Sequence, residues 1–411
     1  MKILFINKYD TTGGAAIIAT RLQKALQKQF QAECEAIVAV KNSGEKNVFC
    51  SRHNSFEIFI ERGLNYFLNR IGIQYCWLPI STPEIRKRAF EFNPDIISLH
   101  NIHGGYFDTS LLIELSRIAP IVWTLHDMWA FTGNAAHTFG DTSWKEMNAG
   151  PGERRQFPQI GLPTGSWLLK RKKVIYRNSN LTIVTPSEWL YHLASSSPVF
   201  TTKRIVHIPN GLDLSLFRPT KEASRAKLNI PADAKVLMFT AEKLAGNDYK
   251  GGEDLIEILR QINNCSTKTI HLLIVGKGNL RQLNELQNFD IHALGYVNDE
   301  HRMTQLFSAS DLFIYPTKAD TLPNALIESI ACGTPAVTYD IGGCGEIIKN
   351  GQNGYVVPPF DTRLFAERII YLLQDAECQH RLSVQARTFA EERFSIESMS
   401  DAYYSLFKEL V

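Results

Sequence analysis

Short apolar runs alternate with stretches of helical spacing along the first half of the chain. Residues 2–7 form a run typical of a buried strand, and apolar residues at 17, 18, 22 and 26 follow at helical spacing. The later runs are apolar on both faces, as in parallel sheets that helices cover. They predict strands at 35–40, 95–101, 121–125, 181–185 and 205–209, with helices at 56–70, 83–92 and 167–176.

The same alternation restarts after the turns at 209–213 and 217–219, which indicates a second domain. Strands are predicted at 236–241, 269–276, 291–294 and 311–314, and helices at 252–262, 279–286, 300–308, 324–331, 361–373, 378–390 and 396–410. The expected fold class is therefore α/β, with two Rossmann-like doubly wound domains.

Composition excludes several classes of protein. Of the 411 residues, 44% are hydrophobic and 21% charged, which is typical of a folded enzyme, and the net charge of +2 gives no support to nucleic-acid binding. The apolar opening is too short for a signal peptide, and no apolar run reaches the length of a membrane span. Seven cysteines without a Cys-x-x-Cys pair indicate free thiols in the cytoplasm and no zinc site.

Residues 315–346, YPTKADTLPNALIESIACGTPAVTYDIGGCGE, carry the densest chemistry. Pro323 stands where a helix begins, and Gly333 stands where it ends. Glu328 lies on this helix and Asp320 in the loop before it, so two carboxylates accompany free N–H groups that favour an anion. The stretch fits a site for a phosphorylated, hydroxyl-rich ligand, although a simple cap and helix punctuation would leave the same pattern.

The same residues resemble the retaining glycosyltransferases of family 4, which have the GT-B fold. The resemblance rests on Asp320 with Leu-Pro after it, on Glu328-Ser-x-Ala-x-Gly-x-Pro, and on Gly-Gly-x-x-Glu-Ile-Ile from Gly342. It implies transfer of a sugar from a nucleotide diphosphate sugar to a hydroxyl of a glycan or glycolipid, with retention, in polysaccharide or cell-envelope synthesis. One departure is Asp320, since the family usually has Glu there.

The resemblance also implies roles for individual residues. Asp320 and His126 would be catalytic. Lys250 matches the lysine of the family's Arg–Lys pair at the pyrophosphate, and Lys243 is a candidate substitute for the missing arginine. No metal and no cofactor beyond the donor is expected, and the sequence has no Asp-x-Asp motif. The expected donor-binding residues are Gly13, Gly14, Lys243, Lys250, Gly276, Thr321, Leu322, Pro323, Asn324 and Glu328.

Two predicted strands of the first domain end in histidine-bearing turns. His100, Asn101 and His103 follow one strand, and His126 follows the next. Because ligands of doubly wound sheets bind beyond the carboxyl ends of the strands, these turns are candidates for a site. A structural role for single histidines is the alternative. By the resemblance His126 contacts the transferred sugar, and we expect the other three residues on the acceptor side.

Residues 128–165 lose all periodicity, and a loop of this length is usually functional or mobile. The helix after it carries Lys170, Arg171, Lys172 and Lys173 beside Trp167 and two leucines. A basic amphipathic helix of this kind can rest on an anionic membrane, so peripheral attachment at the inner face is one expectation. A solvated basic face beside an acceptor groove is the other.

Two alternative functions remain open at this stage: a nucleotide-sugar epimerase and a bilobal protein that binds a nucleotide sugar without transfer. A nicotinamide dehydrogenase is disfavoured, because Gly276-Lys-Gly278 has no third glycine. In GT-B enzymes the last helix crosses back to the first domain. The expected domains are therefore 1–212 with 395–411, the acceptor domain, and 213–394, the donor domain.

Overall fold

The computed structural model describes residues 1–243, 248–265, 269–278 and 281–411. Their contacts divide the chain into two compact units, Met1–Gly211 with Glu397–Val411 and Leu212–Ile396. The strands of the described ranges form two sheets, one in each unit, in which every pair of neighbouring strands is parallel. The predicted fold class, two doubly wound parallel α/β domains, is confirmed.

The first unit holds a seven-stranded sheet. Its elements are β1 (Lys2–Tyr9), α1 (Gly14–Phe30), β2 (Glu33–Val40), β3 (Val48–Cys50), α2 (Ser55–Arg70), α3 (Ser81–Phe92), β4 (Ile96–Leu99), α4 (Leu111–Ile118), β5 (Ile121–Thr124), α5 (Gly165–Arg177), β6 (Leu181–Thr185), α6 (Glu188–Ser195) and β7 (Arg204–His207). The strand order is β3-β2-β1-β4-β5-β6-β7. The order reverses between β1 and β4, where doubly wound sheets place their ligands.

The second unit holds a six-stranded sheet. Its elements are α7 (Lys221–Leu228), β8 (Lys235–Lys243), α8 (Gly252–Cys265), β9 (Ile270–Lys277), β10 (Phe289–Ala293), α9 (Glu300–Ala309), β11 (Leu312–Tyr315), α10 (Asn324–Ala331), β12 (Ala336–Tyr339), α11 (Cys344–Ile347), β13 (Gly354–Val357), α12 (Thr362–Gln374) and α13 (Ala376–Arg393). The order β10-β9-β8-β11-β12-β13 reverses between β8 and β11. Apolar clusters cover both faces of this sheet, which explains why its central strands are apolar throughout.

The last helix, α14 (Ile396–Leu410), packs on the first unit, as the resemblance implied. The Tyr403 hydroxyl lies 2.8 Å from the hydroxyl of Thr124 at the end of β5. The ring of Tyr404 stacks on Phe30 with the centroids 3.9 Å apart. Apolar residues at helical spacing bury one face of α14 against these strands and helices.

Parts of both units differ from the sequence prediction, and α6, α7, β12, α11 and β13 are among the elements that it did not contain. Residues 279–286 were expected to form an α-helix, and the described part of that stretch is a 3₁₀ turn, Arg281–Glu285. The short strand β3 and the helix α4 were not predicted. Three residues of β3 and eight of α4 are too few for a clear period against their polar neighbours.

Candidate active site

The second unit gathers three polar side chains at the reversal of its strand order. Lys250 follows β8, Tyr315 ends β11, and Asp320 lies in the loop after β11. The Lys250 ammonium lies 2.5 Å from Oδ2 of Asp320, and the Tyr315 hydroxyl donates to the same oxygen at 2.7 Å. Lys250 Nζ also lies 3.1 Å from the Tyr315 hydroxyl. One carboxylate oxygen is therefore fixed by two donors, one from the turn before α8 and one from the end of β11.

Two glycines hold the loops around Asp320 at distances that no side chain tolerates. A Cβ on Gly251 would lie 1.8 Å from the carbonyl oxygen of Pro316, and one on Gly342 would lie 1.7 Å from that of Asp320. Both glycines have positive φ values, 67° and 58°. Gly251 therefore lets its loop approach Pro316 just after β11, and Gly342 lets its loop approach the backbone of Asp320.

The helix α10 begins and ends where the sequence predicted. Pro323 is its N-cap with extended backbone, and the helix covers Asn324–Ala331 before Gly333, whose φ is 71°. Leu326 and Ile330 are fully buried, which fixes the rotation of the helix. Glu328 is 9% exposed, so its carboxylate is held in a nearly closed environment. The helix thus carries a shielded acidic group close to its own N-terminus.

The surroundings of Lys250 keep it charged. Burial alone lowers its pKa, but the Asp320 carboxylate and the Tyr315 hydroxyl outweigh burial and raise the pKa above the ordinary lysine value. Burial and the Asp320 charge also raise the pKa of Tyr315 above its usual range. Lys250 is therefore a permanent cation and Tyr315 a permanent O–H donor at any working pH.

The other predicted donor residues fall into two groups. Thr321, Leu322, Pro323 and Asn324 form the loop end and first turn beside Asp320, and the first three are buried. Gly276 lies at the end of β9 with a φ of 151°, and its N–H donates to Gly295 at 2.8 Å. The side chain of Lys243 lies outside the described residues, so its predicted role is not addressed by the structure.

The predicted glycine pair of the first unit lies between β1 and α1. Gly13 is the N-cap of α1 with a φ of 87°, and its carbonyl accepts from the N–H groups of Ala16 and Ile17 at 3.1 Å. A Cβ at Gly13 would meet no atom within 4 Å, so only the backbone conformation demands glycine there. Gly14 is exposed at the start of the helix.

The strand-end histidines of the first unit come together at the neighbouring ends of β4 and β5. Nδ1 of His100 lies 3.0 Å from Nε2 of His126, and the rings are stacked. His100 is 1% exposed and contacts His126, so its predicted place on the acceptor side stays a prediction. Burial lowers the pKa of both histidines, to about 4 for His126. Both are therefore neutral near pH 7.

The loops after β4 and β5 also contain a histidine–carboxylate pair. Nε2 of His103 lies 2.6 Å from Oδ2 of Asp127, and the other oxygen of Asp127 accepts from the backbone N–H of Trp129. Asn101 donates its backbone N–H to Asn7 Oδ1 at 3.1 Å. Two buried atoms of the loop after β4, Asn101 Oδ1 and His103 Nδ1, have no hydrogen-bond partner in the described part of the chain. Such orphaned acceptors are rare and fit a ligand that brings hydroxyl groups.

We expect acid to destabilise the first unit through His126. Its folded pKa of about 4 lies below the ordinary value, so the unfolded state takes up the proton first as the pH falls from about 6.5 to 4. Stability is therefore lost across that window, by up to about 3 kcal/mol for this group. Urea unfolding at several pH values checks this, with His126→Gln as the comparison. An equally steep pH dependence in the variant would contradict the assignment.

The aperiodic segment 128–165 is packed rather than loose. Trp129 and Trp144 are both buried, and buried Glu153 accepts from the backbone N–H of Asn134 at 2.9 Å. Lys172 of α5 reaches into the segment and donates to the carbonyls of Trp129, Thr132 and Gly133 at 2.5, 3.0 and 3.3 Å. Of the two alternatives for this segment, functional or mobile, these long-range contacts favour an ordered segment over a mobile one.

The buried position of Lys172 also corrects the predicted basic face of α5. Lys172 is 3% exposed, and burial lowers its pKa to about 7, opposed by the charges of Glu153 and Asp127. Arg171 hydrogen-bonds Thr109 and pairs with Asp108 at 3.4 Å. Only Lys170 and Lys173 of the four basic residues are exposed.

Two contributors to these clusters were not assigned a role from the sequence. In the sequence Tyr315 is only the first residue of the stretch 315–346, and Asp127 was not singled out. Both stand at the carboxyl ends of strands, β11 and β5, beside residues that were assigned. Their position relative to the strand end is the signal that would have identified them.

Comparison with known proteins decides the family. Residues 12–216 match the model described as Glycosyltransferase Family 4, and residues 220–389 match Glycosyl transferases group 1. Together the two matches cover most of the chain. The chain belongs to the family 4 glycosyltransferases. The resemblance drawn from the residues around Asp320 and Glu328 is thereby confirmed.

Curated relatives of this glycosyltransferase are distant. The chain is 26% identical to spore coat protein SA of Bacillus subtilis over 55% of its own length, and 25% identical to D-inositol 3-phosphate glycosyltransferase 1 of Catenulispora acidiphila over 68%. These alignments span 64% of either relative. The chain is also 26% identical to D-inositol 3-phosphate glycosyltransferase of Saccharomonospora viridis, in an alignment that covers 79% of this chain and 73% of that protein.

Solved structures confirm the GT-B fold. Sucrose-phosphate synthase of Thermosynechococcus elongatus superposes with a TM-score of 0.72 and 17% identity over 100% of this chain and 98% of that one. HepE of Anabaena, in complex with UDP and glucose, superposes with a TM-score of 0.70 and 17% identity over 100% of both chains. In the described ranges of this glycosyltransferase no helix combines the length and apolar character needed to cross a bilayer.

Proposed function

We propose that this glycosyltransferase moves a hexose from a nucleotide diphosphate sugar to a hydroxyl of a glycan or lipid-linked acceptor, with retention of configuration. The observation that carries the proposal is the cluster of Asp320, Lys250 and Tyr315 at the strand-order reversal, next to the helix that carries Glu328. It offers a fixed carboxylate for sugar hydroxyls, a permanent cation and a shielded carboxylate for the ribose.

The diphosphate that leaves gains negative charge, and this chain offers two fixed sources of positive potential. Lys250 is held charged beside Asp320, and the first backbone N–H groups of α10, from Asn324 onwards, lie at the positive end of the helix dipole. Pro323 contributes none, because it has no N–H. We propose that these groups suffice without a divalent metal or another cofactor.

His126 suits the sugar side of the reaction. It is neutral at pH 7 and its ring is positioned by His100, so it can hydrogen-bond a sugar hydroxyl without adding a charge. The orphaned oxygen of Asn101 and nitrogen of His103 suit an acceptor rich in hydroxyl groups. His100 acts here as a positioning residue for His126.

The relatives support transfer of a sugar from a nucleotide sugar as the proposed reaction. One solved structure of the fold, Anabaena HepE, contains UDP-glucose, and relatives by sequence include D-inositol 3-phosphate glycosyltransferases and a lipopolysaccharide core glycosyltransferase of Rhizobium meliloti. Membership in family 4 supports the proposal of retention. A role in polysaccharide or cell-envelope synthesis is the finer proposal.

A panel of nucleotide diphosphate sugars, screened by thermal shift and followed by calorimetry, tests donor binding. We expect at least one donor to bind, and Glu328→Ala to weaken its binding by about 2 kcal/mol, roughly 30-fold, because a charged acceptor of ribose hydroxyls is lost. Glu346→Ala removes the glutamate of the Gly-Gly-x-x-Glu-Ile-Ile stretch. This variant is the comparison that shows how much the loss of any acidic side chain nearby affects binding. Unchanged nucleotide affinity in the Glu328 variant would remove this residue from the donor site.

Contact with an anionic membrane, expected from the basic residues of α5, is better supported at α2. Phe56, Phe59 and Phe67 on one face of α2 are 70%, 76% and 58% exposed, and exposed Arg62 and Arg70 flank them. Exposed aromatic residues with neighbouring arginines are typical of a helix that lies in the interface of an anionic bilayer. We therefore propose α2 as the element that rests on the membrane.

Vesicle sedimentation tests which of the two helices, α2 or α5, contacts the membrane. Replacing the three phenylalanines of α2 by serine should reduce binding to vesicles of phosphatidylglycerol at least about 10-fold, since each buried phenylalanine contributes about 1.5–3 kcal/mol. Replacing Lys170 and Lys173 by serine should change it less. Vesicle binding that depends on the two lysines and not on the phenylalanines would mean that α5, not α2, contacts the membrane.

A further inference from the structure

A cluster of two histidines and a carboxylate lies at the edge of the second sheet. His271 is near the start of β9, and Asp290 and His292 belong to the neighbouring strand β10. In the parallel register Asp290 lies opposite His271 and His292 opposite Leu273. Residues two apart on a strand face the same side, so all three side chains project from one face of the sheet. None of them was considered in the sequence analysis.

Three potential ligand atoms meet in this cluster. Nδ1 of His271 lies 3.1 Å from Nε2 of His292 and 3.2 Å from Oδ2 of Asp290, and His292 Nε2 lies 3.3 Å from the same oxygen. A tetrahedral Zn²⁺ with bonds near 2.0–2.1 Å places its ligand atoms about 3.3 Å apart. The triangle of ligand atoms therefore has the size of one face of a zinc tetrahedron.

Hydrogen bonds alone satisfy the three atoms poorly. If only one of the two facing nitrogens, His271 Nδ1 or His292 Nε2, carries a proton, its N–H donates to one neighbouring atom. The other nitrogen then faces Oδ2 of Asp290, and their two lone pairs repel each other. With a proton on both nitrogens, the two N–H groups share one acceptor, Oδ2 of Asp290, over the long distances of 3.2 and 3.3 Å. A cation at the apex accepts all three lone pairs at once.

We propose that His271, Asp290 and His292 form a binding site for a divalent transition-metal ion, with Zn²⁺ as the ion whose geometry fits. The donor set of two imidazoles and one carboxylate suits zinc and leaves a fourth position for water. Asp290 is about half exposed, so the ion and its water have access from solvent. The site joins β10, which stands at the edge of the sheet, to β9 and thus fastens that edge.

The metal site is separate from the donor cluster. His271 and Asp290 stand near the amino ends of their strands, whereas Lys250, Tyr315 and Asp320 gather at the carboxyl ends of β8 and β11. Its role is therefore structural, and it does not conflict with metal-independent transfer of the sugar. The cysteine pattern had given no indication of zinc, because none of the three ligands is a cysteine.

Titration of the tag-free, EDTA-dialysed chain with ZnCl₂ by calorimetry tests the site. We expect one ion per chain with micromolar or tighter affinity, and a loss of at least about 10-fold in His292→Gln and in Asp290→Asn. The control is His301→Gln, which removes an exposed histidine of the same unit and should leave binding unchanged. Circular dichroism verifies that each variant is folded.

Cobalt provides a second measurement on the same proteins. Co²⁺ bound by two imidazoles and a carboxylate should give visible absorption without thiolate charge transfer, and the absorption should disappear in His271→Gln/His292→Gln. Absence of saturable binding at about 100 μM metal would overturn the proposal. Equal binding by the double variant, or a thiolate signal showing that cysteines hold the ion, would overturn it as well.

Discussion

Asp320→Asn should reduce sugar transfer at least about 100-fold, the scale on which loss of one fixed electrostatic group affects catalysis. The native Oδ2 accepts from Lys250 at 2.5 Å and from Tyr315 at 2.7 Å. An amide in its place brings no charge to balance the ammonium, so the lysine and the loop lose their fixed positions. The measurement is the steady-state rate of donor consumption with an acceptor, after a donor has been identified by binding.

The conservative change at the same position should behave differently. Asp320→Glu restores the residue usual in family 4 and lengthens the side chain by about 1.5 Å. We expect measurable activity and an altered choice of donor, since the carboxylate reaches the sugar from the same loop. Asp320→Asn with turnover like the native protein, on a donor shown to be genuine, would remove Asp320 from the mechanism.

Lys172→Met should lower the free energy of unfolding by about 3 kcal/mol, because it leaves three buried backbone carbonyls without their donor. The ammonium donates to three backbone carbonyls and lies 3.9 Å from the centroid of the Trp129 ring. Methionine keeps the apolar stem but removes all three donors. Methionine also removes the free-energy cost of burying the charge of Lys172, which opposes this loss of stability. The three carbonyls left without a donor outweigh that gain, because each unsatisfied acceptor costs about 1–3 kcal/mol.

Lys173→Met is the matched control, because the neighbouring lysine is exposed on the same helix. Its urea midpoint should stay close to that of the native protein, while the midpoint of Lys172→Met falls. Equal midpoints for both variants would mean that Lys172 does not hold the segment 128–165 together.

The strongest local signals of the sequence predicted the fold well. α10 could be placed residue by residue, because Pro323 and Gly333 mark its ends and Leu326 and Ile330 mark its buried face. The strands apolar on both faces predicted parallel sheets. The turn at Arg281–Glu285 was expected to be an α-helix, because the sequence pattern alone does not distinguish one helical turn from several.

Long-range contacts could not be read from the sequence. Lys250 and Asp320 are 70 residues apart, and only the strand order of the sheet brings them together. The segment 128–165 has no period because its order comes from single buried side chains such as Trp144 and from Lys172 of α5. The cluster of His271, Asp290 and His292 depends on the register of two strands, which no local pattern gives.

The central claim, transfer of a sugar to an acceptor hydroxyl, is tested most directly by NMR of the reaction itself. A nucleotide diphosphate sugar that binds is incubated with the protein and a glycan or lipid acceptor, in EDTA. We predict free nucleoside diphosphate together with a new glycoside of the same anomeric configuration as the donor. A new nucleotide sugar without release of diphosphate would indicate an epimerase, and an unchanged donor with every acceptor would indicate binding alone. Either result would contradict the account.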